Sequence, residues 1–263
     1  MNRALRTAAT GMFAQQMNVD LISNNLANVN TTGFKKSRPE FQDLMYQTIK
    51  TSGVADEGKN TDVTEIQIGN GTIPVATLKN FRQGDVQPTN NPLDLSIQGE
   101  GFFQIRRTDG TIAYTRDGTF RVSADGELVN AQGYVIEPGI SFSSATSDIS
   151  ISRDGTIEVT EAGQSGSVKI GQLELAKFIN PAGLHAIGNN LYVESAASGK
   201  PIVASPGSEG YGELMQGSLE SSNVDVVEEM ISMIVAQRAY EINSKTVKTV
   251  EEMLAMANNL KQG

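Results

Sequence analysis

The chain has 263 residues, 38% of them hydrophobic and 19% charged, an ordinary soluble composition with length for one large or two small domains. Lys and Arg number 21 against 30 Asp and Glu, a formal net charge of −9, which argues against nucleic acid as a partner. A single His and no Cys leave little material for a zinc site or thiol catalysis, no cofactor is expected, and no apolar run approaches the roughly 18 residues that span a bilayer.

At 1–30, Leu5, Ala8, Met12, Gln15, Val19, Ile22, Leu26 and Val29 recur at spacings of three and four, and only Gln15 is polar. This predicts a helix with one narrow apolar seam. Asn18, Asp20, Asn24 and Asn25 fall on its far side, where water or the polar groups of a partner would suit them. Asn28, Asn30 and Gly33 end it. From 46 to 71 the character changes. Thr51-Ser52-Gly53 and Asp56-Glu57-Gly58-Lys59-Asn60 are turn formers, Glu65-Ile66-Gln67-Ile68 fits one strand, and the whole stretch reads as a long extension.

Gly, Thr, Ser, Val and Ile then dominate, with short alternating runs at 72–78, 93–97 and 102–105. Asp109-Gly110, Asp117-Gly118 and Asp125-Gly126 lie eight residues apart, and Asp154-Gly155 opens another run at 156–159. Asp-Gly tolerates the positive φ of tight hairpins, so the spacing predicts a meander of antiparallel strands. The last forty residues predict a second helix. Ser222 and Asp225 have capping-box spacing, and Asp225, Glu228 and Glu229 suit the positive end of its dipole. Its seam runs Val224, Val227, Ile231, Ile234, slips near Arg238, and continues through Tyr240, Val247, Val250, Leu254 and Ala257. Glu241 and Lys245 form an outer i,i+4 pair worth about 0.3–0.5 kcal/mol.

The expected fold is α+β, with N- and C-terminal helices forming a coiled-coil domain around a discontinuous, mainly antiparallel β domain. The divisions fall at 1–45, 46–71, 72–217 and 218–263. Burying the larger seam side chains of the first helix yields roughly 9–18 kcal/mol, whereas ordering each of its residues costs roughly 1–2 kcal/mol in backbone entropy, offset only in part by helix hydrogen bonds. One seam on one partner helix is close to break-even. Both ends are therefore expected to be largely unfolded in the free subunit and to order among neighbours.

Three stretches resemble a known family. Ser23-Asn24-Asn25-Leu26-Ala27-Asn28-Val29-Asn30-Thr31-Thr32-Gly33-Phe34-Lys35 is similar to the signature of the flagellar rod and hook family. Ser222-Asn223-Val224-Asp225-Val226-Val227-Glu228-Glu229-Met230, continuing through Ala236-Gln237-Arg238-Ala239-Tyr240-Glu241-Ile242-Asn243-Ser244-Lys245, resembles its C-terminal motif. Gln98-Gly99-Glu100-Gly101-Phe102-Phe103 with Tyr114-Thr115-Arg116-Asp117-Gly118 resembles its β domain. Within the family, Tyr46-Gln47-Thr48-Ile49, the extension and Gln67-Ile68-Gly69 look like the insertion of distal rod subunits, although 54–65 departs freely from that pattern.

The resemblance implies a structural subunit that polymerises into a rigid tube across the periplasm and transmits torque from motor to hook. Its partners would be copies of itself, proximal rod and hook-side axial proteins, and the rings that act as a bushing. It also implies unfolded export through the flagellar type III apparatus, consistent with a start that lacks a secretory apolar core and with the absence of Cys. The residues expected to carry self-assembly are Leu5, Met12, Val19, Ile22, Asn24, Asn25, Leu26 and Asn28 in the first helix. In the second they are Val227, Ile231, Ile234, Arg238, Tyr240, Val247, Val250 and Leu254. Thr32, Gly33 and Phe34 would form the motif turn. Phe41 and Met45 match the family's export-gate spacing, or are simply i,i+4 neighbours on a helix.

Three rival readings are weaker, beside another rod or hook-type axial protein. A peptidoglycan hydrolase needs paired carboxylates in a cleft, yet the acids cluster in turns and on helix faces and Trp is absent. A calcium-binding β roll needs several converging oxygen ligands, and each Asp-Gly turn offers one Asp. His185 sits in Pro181-Ala182-Gly183-Leu184-His185-Ala186 with no nucleophile signature nearby.

Overall fold

The computed structural model of the chain describes residues 2–50, 66–143, 146–161 and 166–262. The turn formers at 51–53 and 56–60, Glu65 and the divergent stretch at 54–65 lie outside the described residues. The architecture is α+β, with a helix near each end and mainly antiparallel strands between. The chain divides into two compact units, one of Met1–Leu26, Ser37–Leu78 and Val226–Gly263, the other of Ala27–Lys36 and Lys79–Asp225.

The first unit contains helix α1, Asn2–Ala27, and helix α2, Val226–Gln262. Residues after the motif turn are extended rather than helical. Ser37–Asp43 pairs with Thr72–Lys79, and Gln47–Lys50 pairs antiparallel with Ile66–Ile68. The extension therefore leaves and returns as a two-stranded ribbon, and the stretch around Phe41 and Met45 is not the helix that i,i+4 neighbours would need. At its base Gly71 takes φ of +109°, and a Cβ there would meet the Thr10 hydroxyl of α1.

α2 begins directly after Asp225, which occupies the cap position expected of Ser222. Ser222 Oγ accepts the N–H of Val224, at 3.4 Å. The reason is local: Asn223 accepts the Lys36 N–H at 2.8 Å and donates to the carbonyls of Asn80 and Arg82, which holds this stretch extended until 225.

The second unit is built on a nine-stranded sheet around Phe102–Arg106. That strand pairs on one side with Ile112–Thr115 and on the other with both Leu175–Lys177 and Val135–Ile136. Antiparallel pairs also join Glu213–Gln216 to Leu95–Gln98 and Ser218–Glu220 to Val86–Pro88, so the chain closes on itself before α2. Phe103, Ile105, Leu95, Ile97 and Leu175 are fully buried in the main core. Phe102, Tyr114, Phe178 and Tyr192 form a second cluster of edge-to-face rings with Phe81.

Three of the four Asp-Gly pairs make hairpins, at Gly110, Gly126 and Gly155, each with φ near +80°. Asp117-Gly118 does not. Gly118 keeps an ordinary φ and its carbonyl accepts the Leu95 N–H at 3.1 Å; a Cβ there would collide with the Leu95 backbone. This glycine is required for a close crossing of two chains rather than for a reverse turn. The strands likewise do not form a simple meander, because Val135–Ile136 inserts beside Phe102–Arg106 and carries the hairpin of 121–129 outward.

Candidate functional site

Two contacts show how the terminal helices meet. Asn25, only 2% exposed, donates its amide to Glu229 Oε2 at 3.1 Å, and a Cβ on Gly11 would stand 2.9 Å from the Asn243 amide nitrogen. Fourteen residues separate the contact points on each helix, 25 back to 11 and 229 on to 243, so the helices run antiparallel. The buried positions of α1 are Ala8, Ala14, Ile22 and Asn25, and those of α2 are Glu229, Ala236 and Val250. Small and polar residues make both of these contacts.

The expected seam is covered along α1 and displaced only in the first half of α2. Leu5, Met12, Val19, Leu26 and Asn28 are half-buried, Ile22 is buried and Asn24 is exposed. On α2, Val250 is buried and Val247 and Leu254 half-buried, whereas Val227, Ile231, Ile234, Arg238 and Tyr240 are exposed. Ile231 and Ile234 each keep 58% of their surface in water. Asn25, expected to meet water or the polar groups of a partner, is buried against polar groups of its own chain, its amide also exchanging two hydrogen bonds with the Ser37 backbone, each 2.9 Å long. Glu241 pairs with Arg238 at 2.9 Å rather than with Lys245. Val19 and Tyr240 come together with Gln16, Gln237 and Glu241 around a groove of about 440 Å³.

The motif turn follows α1. The Thr31 N–H donates to the Asn28 carbonyl at 3.1 Å and the Phe34 N–H to the Thr31 carbonyl at 3.2 Å. Gly33 takes φ of +66° with its N–H on the Glu220 carbonyl at 2.8 Å, and a Cβ there would stand 2.7 Å from the Arg116 backbone. The Thr32 carbonyl accepts from Asn190 at 3.0 Å, and Phe34 is buried beneath the Lys79 ammonium, 5.3 Å from its ring.

Beneath this turn lies a charged cluster that sequence reasoning missed. Lys35 and Glu220 are fully buried and form a short ion pair. Arg116 reaches the other Glu220 oxygen at 3.3 Å and the Gly99 carbonyl at 2.7 Å. Lys35 also donates to the Arg82 carbonyl at 2.8 Å, and Glu220 accepts the Gly84 N–H at 2.9 Å. Burial pushes the Lys35 ammonium and the Arg116 guanidinium below their ordinary pKa, against the opposing pull of Glu220. The only signal in the sequence is that Lys35 closes one family motif and Arg116 lies within another, while Glu220 stands just ahead of the C-terminal one.

Known proteins carry the same sequence patterns in the same order. Residues 5–35 match the pattern described as flagella basal body rod protein, 96–159 the flagellar hook protein FlgE/F/G D1 domain, and 215–260 the flagellar basal body rod FlgEFG protein C-terminal. The chain is 52% identical over 264 residues to a flagellar basal-body rod protein FlgG of Borreliella burgdorferi, covering all of both chains. It is 46% identical to one of Caulobacter vibrioides, covering 98% of this chain and 99% of that one, and 39% identical to one of Bacillus subtilis over the whole of both. The chain belongs to the FlgG family of flagellar basal-body rod proteins.

FlgG-family membership makes this a structural protein rather than an enzyme, and sets the other features in place. The ribbon exposes Tyr46, Ile49, Ile66 and Ile68, and Phe41 and Ile73 on the strands that lead into it. Phe41 lies in the strand Ser37–Asp43, and Met45 follows that strand with 86% of its surface exposed. His185 begins the exposed strand His185–Gly188. At Asp109 and Asp154 the carboxylate accepts from the Thr two residues on, an ordinary turn contact that holds it below the usual carboxylate range. Among the described residues no three His, Asp or Glu side chains are placed to hold a metal ion, and no helix is long and apolar enough to cross a membrane.

Proposed function

We propose that the chain is a subunit of the distal rod, polymerising with copies of itself into a rigid helical tube that spans the periplasm and carries torque from motor to hook. The observation that carries this reading is the line of exposed apolar side chains on α2, with Ile231 and Ile234 at its centre. Exposed Ile and Val at helical spacing on a charged, water-soluble chain mark a surface meant for a partner. A heterologous contact that does not close generates a filament. In the polymer, α1 and α2 of adjacent subunits form a coiled-coil core, in which covering each large apolar side chain contributes about 1.5–3 kcal/mol.

Thr32, Gly33 and Phe34 form the motif turn that follows α1. The extension, whose described arms are Gln47–Lys50 and Ile66–Ile68, ties one subunit to its neighbours and makes the tube straight and stiff. The proximal rod and hook-side axial proteins are its neighbours along the axis, the rings turn around it, and the type III apparatus exports it with Phe41 and Met45 as the export signal.

One deletion experiment with two arms tests the reading. Removing 41–45 should abolish secretion, assayed apart from assembly; removing 46–66 should leave assembly possible but yield curved tubes. Unchanged secretion would end the export role, and straight tubes of equal stiffness would end the role of the extension.

A further inference from the structure

We infer that the buried Asn25–Glu229 pair, backed by the close approach of Gly11 to Asn243, is a register lock that keeps the larger apolar line of α2 from closing on α1 and so leaves it for a second copy of the chain. This rests on the rod reading above and names the residues that make it work.

α2 carries two lines at helical spacing. Glu229, Ala236, Asn243 and Val250, seven residues apart, form a line that is small or polar over most of its length and buried or half-buried. Met230, Ile231, Ile234, Val235 and Ile242 form the other, and every one of them is more than half exposed. Apolar area alone would seat the second line against α1. The helix pair instead uses the first, so specific contacts outweigh area.

Asn25 supplies the contacts. Its amide donates to Glu229 and to the Ser37 carbonyl and accepts the Ser37 N–H, which ties the rotation of α1 to α2 and to the strand that begins at Ser37. Turning either helix by one residue would strip a buried amide and a buried carboxylate of these bonds, a change that costs more than their formation contributes. Gly11 adds the second point, because any side chain there would meet Asn243. Two points far apart along both helices set rotation and slide together. Buried polar groups between helices are known to select register in this way while lowering stability.

The test uses the full chain, which contains no Cys, so that one engineered pair, Asn18→Cys with Ala236→Cys, reports the register by cross-linking within a subunit of the polymer. In the Asn25→Leu/Glu229→Leu chain the dilute subunit should gain helix by circular dichroism, as the apolar line closes inward, while its polymerisation rate falls at least ten-fold. Asn25→Asp should also polymerise at least ten-fold more slowly. Asn25→Asp/Glu229→Gln, which restores a donor and an acceptor across the pair but not the donor to the Ser37 carbonyl, should polymerise faster than Asn25→Asp and regain the wild-type cross-link. Wild-type polymerisation of the double Leu chain, or an Asp/Gln chain no better than Asn25→Asp alone, overturns the lock. Failure of the unaltered chain to polymerise would instead count against the rod reading.

Discussion

Glu220 joins two cations that burial alone would make unfavourable. Its carboxylate meets Lys35 on one oxygen and Arg116 on the other, and its carbonyl holds Gly33 in the motif turn. Removing one member of a buried ion cluster leaves the others charged and dry, so Glu220→Ala should destabilise the β-rich unit by about 3–5 kcal/mol, measured by urea unfolding. The tyrosine cluster gives a pH signature. Burial pushes Tyr114 and Tyr192 up to about 12, with Glu194 adding to the shift at Tyr114. A folded pKa above the unfolded value of about 10 means stability is fully present below pH 10 and drains away as pH rises towards 12. Tyr192→Phe should therefore move the alkaline unfolding midpoint upward, read by circular dichroism across pH 9 to 12. Neither the Glu220 cluster nor the Asn25–Glu229 pair is legible in the sequence, since Lys35 and Glu220 stand 185 residues apart and Asn25 and Glu229 stand 204 apart. Residue type pointed Asn25 towards water because the partners that make its burial tolerable lie elsewhere in the chain.

At the scale of elements, local chemistry is a better guide. Both helices, the strand runs near 72, 95, 102 and 156, and the hairpins at Gly110, Gly126 and Gly155 follow from period and turn residues. Asp117-Gly118 breaks the pattern because a neighbouring backbone, not its own turn, requires the glycine. Which face α2 offers α1 is not legible either: the period identifies an apolar seam, but the contacts at Glu229 and Asn243 select a smaller, more polar line on another face of its first half. A pair held through such a seam gains little burial, whereas ordering each residue costs roughly 1–2 kcal/mol. A dilute subunit should accordingly show less helix by circular dichroism than the 26 and 37 residues of α1 and α2, with the rest appearing on polymerisation. A monomer already showing all of it would contradict this.

At the scale of the whole molecule, three patterns in order across the chain mark the family, and relatives matched over their full length agree. What the patterns do not carry is the surface that neighbours use. We propose that this surface is the exposed line of α2, where Ile231 and Ile234 hold apolar area that the subunit itself does not cover. Replacing both by Asp leaves the buried line through Glu229, Ala236 and Val250 untouched and should spare the fold of the subunit.

Electron microscopy of polymer grown from the purified chain, with and without Ile231→Asp and Ile234→Asp together, therefore bears on the central claim most directly. Straight tubes from the unaltered chain and none from the doubly substituted one are the predicted result; tubes of equal length and number from both would contradict it.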